Sequence, residues 1–418
     1  MQSHYIESIK RVAQKLKDLP CVIGFDTLNI PQRGYVEVQN LSRPYGELEM
    51  GVCPTPWESM LLGAGFPQKV KQYERTIFGT RTRRHEMLNS EKKSAWLPGY
   101  DCVWRQHGVW DLDPDGEPVL LKSDYFSKVD GREINFVQDY LLPFMKKMVG
   151  AIRTSRPDYT AFLESEVNLF PPLWPQAGQE NIVFAPHWYD GALLFLKKYS
   201  PFIGYDVITK KPVFGTGKVN RSFTQQLRMI KKLAKERLGN VPVLIGEIGI
   251  PFDMQEKKAY LNGDFTNQVH AMERTMRALE NNFLNFTLWN YTADNTNSRG
   301  DQWNDEDLSI FSRDQQTDRA EIHSGGRAEK GFVRPYPLFT SGEPDHLQFE
   351  SKTGSFHFSF SGNAQTTVPT EIFCPSIQYP DGVRVRVSDG RFETDLEKQR
   401  VFYFSGDQLH HWIKFDRI

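Results

Sequence analysis

The sequence predicts an α/β fold, with parallel strands alternating with amphipathic helices, followed by a small antiparallel β-sandwich. Three observations carry this prediction. Apolar, β-branched runs such as Val241-Pro242-Val243-Leu244-Ile245-Gly246 read as strands buried on both faces. Segments of helical period separate these runs, which is the grammar of a parallel α/β sheet. Beyond about residue 330 the hydrophobic period changes to two, as in Ser355-Phe356-His357-Phe358-Ser359-Phe360-Ser361.

The elements follow in order. Residues 5–19 place Ile6, Ile9, Val12, Ala13 and Leu16 at helical spacing, and Leu19-Pro20 ends that helix. The strand 21–28 follows at once, so the chain is expected to begin in mid-pattern, without the strand that would precede its first helix. Residues 40–130 are rich in Gly, Pro, charge and aromatics, including Trp57, Trp96, Trp104 and Trp110. That is too long for an ordinary connection and reads as an insertion or lid. A helix over 134–153 and a strand over 159–164 resume the pattern. Strand 181–185 runs into Pro186-His187-Trp188-Tyr189-Asp190. A basic helix at 221–238 carries its charge as a solvated face. The strand ending at Glu247, a helix over 266–281 and a strand over 283–289 complete at least five parallel β/α units. Ser324-Gly325-Gly326-Arg327 reads as a linker, giving domains over 1–325 and 330–418. In the second domain Val383-Arg384-Val385-Arg386-Val387, Gln399 to Phe404 and His411 to Phe415 read as further short strands.

Composition narrows the class. With 418 residues, 39% hydrophobic and 25% charged, the chain reads as a soluble globular protein with room for two domains. A formal net charge of -1 makes no electrostatic case for nucleic acid or for an anionic membrane. The 13% aromatic content fits a large core, an aromatic-lined cleft, or both. Cys21, Cys53, Cys102 and Cys374 form neither a metal-ligand pattern nor a dense disulfide framework, so no metal or organic cofactor is expected. No run of about 18 apolar residues occurs, so no transmembrane segment is expected. Met1-Gln2-Ser3-His4-Tyr5-Ile6-Glu7 lacks the build of a signal peptide, and an intracellular setting, cytoplasmic or vacuolar, is the expectation.

Glu247 is the leading candidate for chemistry. A carboxylate held between glycines at the end of a buried strand is costly unless it has a partner or a task. The carboxyl ends of parallel strands are where α/β enzymes place chemistry. The bland alternative is an ion-paired carboxylate. Four other polar strand ends converge with it in the pattern: Asn29, Glu164, the His187/Tyr189 pair and Trp289. His187 and Tyr189, two apart, point to one side if extended, and Tyr189 can then donate to Glu247.

Asp26-Thr27-Leu28-Asn29-Ile30-Pro31 with Gly34-Tyr35, then Pro186-His187-Trp188-Tyr189-Asp190, Gly246-Glu247-Ile248-Gly249 and Leu288-Trp289-Asn290-Tyr291, resemble glycoside hydrolase family 5. Their order matches that family's fourth, sixth, seventh and eighth barrel strands. Thr292-Ala293-Asp294-Asn295, Asp301-Gln302-Trp303-Asn304 and the C-terminal β-domain look like its endoglycoceramidase-like branch, which includes fungal glucosylceramidases and steryl-β-glucosidases. The resemblance implies a (β/α)₈ TIM-type barrel plus β-sandwich and retaining hydrolysis of a β-glycoside by two Glu residues. It implies Glu247 as nucleophile, Asn29 as partner of the sugar 2-hydroxyl, His187 and Tyr189 as the pair orienting Glu247, and Trp289 as a sugar platform. The implied substrates are glucosylceramide or a steryl β-glucoside, with peripheral membrane contact.

The sequence departs from that pattern twice. The family's Asn-Glu-Pro is here Asn29-Ile30-Pro31, and Ile30 cannot transfer a proton. Loss of a general acid/base typically costs ~10²–10⁴-fold in rate. Gln32 cannot act as an acid, Glu37 lies too far along the loop, and Glu164 is the substitute to test. Second, the barrel's first three strands have no counterpart, so a fragment of a longer chain is expected. Two functions follow: an impaired β-glycosidase of lipid-linked glucosides whose aromatic insertion walls an amphiphile, or a pseudoenzyme that binds glycolipid or a protein partner. A carbohydrate-binding role for the C-terminal domain has less support, because a sandwich core accounts for its aromatics.

Overall fold

The computed structural model describes residues 1–418 except 46–48, 78, 167–169, 176–179, 363–365 and 367, and the side chain of Arg75. The chain divides into two units, residues 1–184 with 234–241, and residues 185–233 with 242–418.

In the first unit the helix α1 (Gln2–Leu16) lays Tyr5 against Phe144 with ring centroids 6.0 Å apart, and Tyr159 Oη donates to the Ala13 carbonyl at 3.2 Å. Strand β1 (Gly24–Asp26) is shorter than the 21–28 run suggested. A Cβ at Gly24 would lie 2.0 Å from the Thr160 carbonyl oxygen, so only glycine permits this close pairing.

The 40–130 insertion contains the hairpin β2 (Gln68–Thr76) and β3 (Gly79–Leu88). A short helix, Pro56–Gly63, starts on a capping box: Thr55 Oγ1 accepts from the Glu58 amide at 3.1 Å while Glu58 accepts from the Thr55 amide at 2.7 Å. The insertion's tryptophans pack into a core within the insertion. Trp110 is fully buried, Trp57 packs edge-on against it at 5.6 Å, and Trp104 meets Phe126 at 5.1 Å. With Val38, Leu41 and Met60 they form a core of their own. A long insertion must bury apolar surface to offset its ordering entropy, and these rings contribute to that area.

The helix expected over 134–153 is a π-turn, Phe136–Leu141, followed by α2 (Leu142–Arg153). Pro143 lies at the junction, where its missing N–H removes an i→i−4 bond and favours the wider turn. Strands β4 (Thr160–Leu163) and β5 (Ile182–Phe184) complete a parallel sheet in the order β1-β4-β5.

In the second unit, α3 (Thr216–Leu238) contributes Val219, Phe223 and Leu227 to a core shared with Ile245 and Ile248 of β6 (Leu244–Ile248) and with Met272 of α4 (Thr266–Glu280). Arg274 of α4 donates to Asp190 at 2.5 Å with both side chains buried. Strand β7 (Asn285–Leu288) runs parallel to β6. The 324–327 run departs from the open linker expected of it. A Cβ on Gly325 would collide with the Phe311 ring, and the Arg327 side chain is fully buried.

Beyond it the period-two segments form β8 (Tyr336–Phe339), β9 (Gly342–Glu350), β10 (Ser355–Gly362), β11 (Thr370–Phe373), β12 (Val383–Val387), β13 (Arg391–Asp395), β14 (Arg400–Phe404) and β15 (His410–Arg417). They make two four-stranded sheets, β8-β11-β14-β13 and β9-β10-β15-β12, with antiparallel pairing. Phe356, Phe358 and Phe360 of one sheet and Ile372 and Val401 of the other share one core. The antiparallel sandwich is as the alternation predicts.

The β12–β13 turn is tied to this domain by Asp389, which accepts from Tyr403 at 2.7 Å, His411 Nδ1 at 2.9 Å and Ser388 at 3.0 Å. Burial pushes this carboxyl up, but the three hydrogen bonds outweigh it and hold it at about 2. A folded-state value below the ordinary carboxylate value stabilises above pH ~4, and the contribution is lost as pH falls toward the folded value. Asp389→Asn should therefore destabilise the sandwich by ~1–3 kcal/mol at pH 7. The gap between variant and wild type should close between pH ~4 and ~2. Amide exchange in β10 and β15 followed by mass spectrometry reads this; a gap that does not change with pH would refute the linkage.

Candidate active site

The strand β6 ends where its chemistry-bearing residue stands. Ile245 pairs with Phe286 and Ile248 with Leu288, so Gly246 and Glu247 together oppose Thr287 alone. Such a bulge re-aims a side chain out of the regular alternation. The flanking glycines are sterically required. A Cβ on Gly246 would meet the Ala185 carbonyl at 3.0 Å and the His187 ring at 3.3 Å, and one on Gly249 would lie 2.2 Å from the Trp289 carbonyl oxygen. Thr287 Oγ1 donates to the Gly246 carbonyl, a contact that sequence reasoning missed.

The run after β5 pairs with β6 in parallel. The Gly246 amide donates to Pro186 at 2.9 Å and the Trp188 amide donates to the Glu247 carbonyl at 3.1 Å. This pairing brings His187 and Tyr189 to the carboxylate. Tyr189 Oη donates to Glu247 Oε2 at 2.9 Å, and His187 Nδ1 lies 3.0 Å from the same oxygen. Tyr189 holds Oε2 by a hydrogen bond, while the His187 ring stands at contact distance without hydrogen-bond geometry. The Glu247 side chain is 14% exposed. The result is a nearly buried carboxylate with one oxygen tied by Tyr189.

Trp289 follows β7, and its amide donates to the Ile248 carbonyl at 3.0 Å. Its ring is partly exposed and the neighbouring Tyr291 is exposed. A buried polar network holds this turn. Asn290 Nδ2 donates to Asp301 at 3.1 Å, Asn295 Nδ2 donates to Asp301 at 2.9 Å and to Asp307 at 3.0 Å, and Arg327 donates to Asp307 at 2.6 Å. Tyr260 donates to the other Asp307 oxygen, and burial pushes its phenol well up, so it stays a donor. The resemblance pointed to Asn295 and Asp301; Asp307 and Arg327 carried no sequence signal because their partners are far along the chain.

Asn29, Ile30 and Glu164 belong to the first unit. Asn29 is exposed. Ile30 has φ +40°, a left-handed backbone that a β-branched residue adopts only under constraint. Part of that constraint is visible: the Ile30 amide donates to Glu164 Oε2 at 2.7 Å, and Glu164 is buried. Further along the same loop, Arg33 bridges Glu37 and Glu166 at 2.8 Å each, and Glu37 accepts from the Phe136 amide at 2.7 Å. Glu37 is thus a clasp for the loop. Among the described residues no group of three or more His, Cys, Asp or Glu side chains is placed to hold a metal ion.

Residues 334–414 match the glycoside hydrolase family 5 C-terminal domain. A glucosylceramidase of Rhizopus delemar is 32% identical over 96% of this chain and 63% of its own length. An ergosteryl-beta-glucosidase of Saccharomyces cerevisiae is 28% identical over 96% of this chain and 64% of its own. The crystal structure of Cryptococcus neoformans sterylglucosidase 1 superposes on the whole chain with a TM-score of 0.93 at 27% identity, and 67% of that structure is covered. The chain therefore spans somewhat under two thirds of the curated relatives named here. The strand-end motifs around His187, Glu247 and Trp289, the matched C-terminal domain and these relatives all point to glycoside hydrolase family 5, in its endoglycoceramidase-like branch.

Proposed function

We propose that this chain carries the nucleophile half of a retaining β-glucosidase for lipid-linked glucosides, glucosylceramide or a steryl β-glucoside, with its proton-transfer half impaired. The observation that carries the reading is the placement of Glu247, with Tyr189 donating to Oε2 and the His187 ring packed beside it. In this reading Oε1 attacks the anomeric carbon as the aglycone oxygen departs. Water then releases the glucosyl group from Glu247 in a second displacement, restoring the anomeric configuration. Asn29 is assigned the sugar 2-hydroxyl and Trp289 a sugar face, both on the family's motif order. The same order supports reading β1, β4, β5, β6 and β7 as the fourth to eighth strands of a (β/α)₈ barrel.

Ile30 sets the limit. A sterol or ceramide alkoxide is a poor leaving group, so it needs a proton that Ile30 cannot give. Fluoride or dinitrophenolate leaves without one. A glycolipid-binding pseudoenzyme is the second reading, and Ile30 is the observation that favours it.

Three outcomes are expected. Incubation with 2,4-dinitrophenyl 2-deoxy-2-fluoro-β-glucoside should add one glycosyl mass to the peptide containing Glu247, and Glu247→Gln should abolish the adduct. An intact, folded chain that never labels would leave the pseudoenzyme reading. Ile30→Glu should raise turnover of steryl glucoside or glucosylceramide by ~10²–10⁴-fold, read by release of glucose; a folded variant with no gain would remove the acid as the explanation. Glu164→Ala should lower stability by about 1–3 kcal/mol in denaturant titration, since the Ile30 amide loses a charged acceptor. Loss of lipid-glucoside turnover with no loss of stability would instead make Glu164 the substitute acid.

A further inference from the structure

We infer that the hairpin β2–β3 is a docking surface for an anionic lipid membrane. A formal net charge of -1 for the whole chain hides a local concentration. Residues 68–88 hold six Lys or Arg side chains against two Glu. Such a patch acts within a Debye length of roughly 10 Å, so the average over 418 residues does not decide what it meets.

The geometry separates paired from unpaired charge. Arg81 is taken by Glu74 at 2.8 Å, and Arg84 by Gln72 at 2.5 Å and Glu86 at 3.5 Å. Lys69, Lys71 and Arg83 are exposed and have no ion pair or hydrogen bond among the described residues. Cross-strand register sets Lys69 opposite Met87 and Lys71 opposite His85, so these four share a face. Met87 is 55% exposed within that face. Arg83 is the extra residue at the bulge, two positions beyond His85 on the same strand. Basic side chains around an exposed apolar one suit a lipid headgroup layer, where each Lys or Arg is attracted and an apolar side chain can enter.

Edge protection is the competing explanation, since β3 is an edge of its sheet among the described residues. Charges that only block strand addition belong on the edge strand and can be of either sign. Here Lys69 and Lys71 stand on β2, which pairs with β3 along its length and with the short strand Gly51–Val52 at Gln72 and Tyr73, and the excess is of one sign. The choice of lipid over nucleic acid rests on Met87 and on the lipid-glucoside reading above.

The test is co-sedimentation of the chain with phosphatidylcholine vesicles, with and without about 30% phosphatidylserine, at low salt and at ~0.5 M NaCl. Binding should require phosphatidylserine and fall away at high salt. K69Q/K71Q/R83Q should weaken it by about 5-fold per residue and ~100-fold together, with an unchanged circular dichroism spectrum. Equal partitioning to neutral vesicles, salt-insensitive binding, or a folded triple variant that sediments like wild type would each overturn the proposal. So would duplex RNA of matched charge displacing the chain from the vesicles. If the variant does not fold, the lipid and salt arms on the wild-type chain still decide. Sedimentation needs no turnover, so a failed glycosyl-labelling experiment leaves this result standing.

Discussion

The second unit is organised around a guanidinium with no exposed surface. Arg327 donates to Asp307 and to the Ser309 carbonyl, while Tyr260 and Asn295 complete the ring of partners about Asp307. Burying such a pair gains little by itself, because desolvation offsets the Coulomb attraction. Removing one member would strand the other, and that asymmetry makes the arrangement unforgiving. Asn295 and Asp301 extend the network to Asn290, which follows Trp289 directly. The turn bearing the aromatic ring beside β6 is thus fixed by a polar network within the chain. Asp190 and Arg274 repeat the device near Tyr189, where Asp190 caps the helix Gly191–Leu196.

With the frame held, Glu247 needs little else to be placed. Two glycines admit close backbone approach, a bulge turns the side chain, and Tyr189 takes one oxygen with His187 packed beside it. This is preorganisation in the ordinary sense, since the geometry is met before any reactant arrives. The loop at Ile30 is organised differently. Its charged groups, Glu164, Arg33, Glu37 and Glu166, are spent on the backbone and on one another. They hold the positive-φ isoleucine between Asn29 and Pro31.

The insertion shows a similar division of labour. Its tryptophans close a local core, and its hairpin presents charged side chains to solvent. Aromatic content in a sequence therefore does not distinguish a wall for a ligand from a core that merely pays for a long excursion.

The sequence alone determined the alternation of buried strands and helices, the switch to period two, and Glu247, His187 and Tyr189 as a group. These rest on periodicity and short-range spacing, which a linear chain displays directly. It also displayed Ile30 where a carboxylate was expected. Tertiary structure alone decided the partners of Glu164 and Glu37, the burial of Arg327, the packing of Gly325 against Phe311, and the packing of the insertion's tryptophans into its core. Each of these is a contact between residues far apart in the chain, or a choice between core and surface that composition leaves open. The physical reason is common to them: a side chain's polarity says that it needs a partner or a neighbour, and only the folded chain says which one it has.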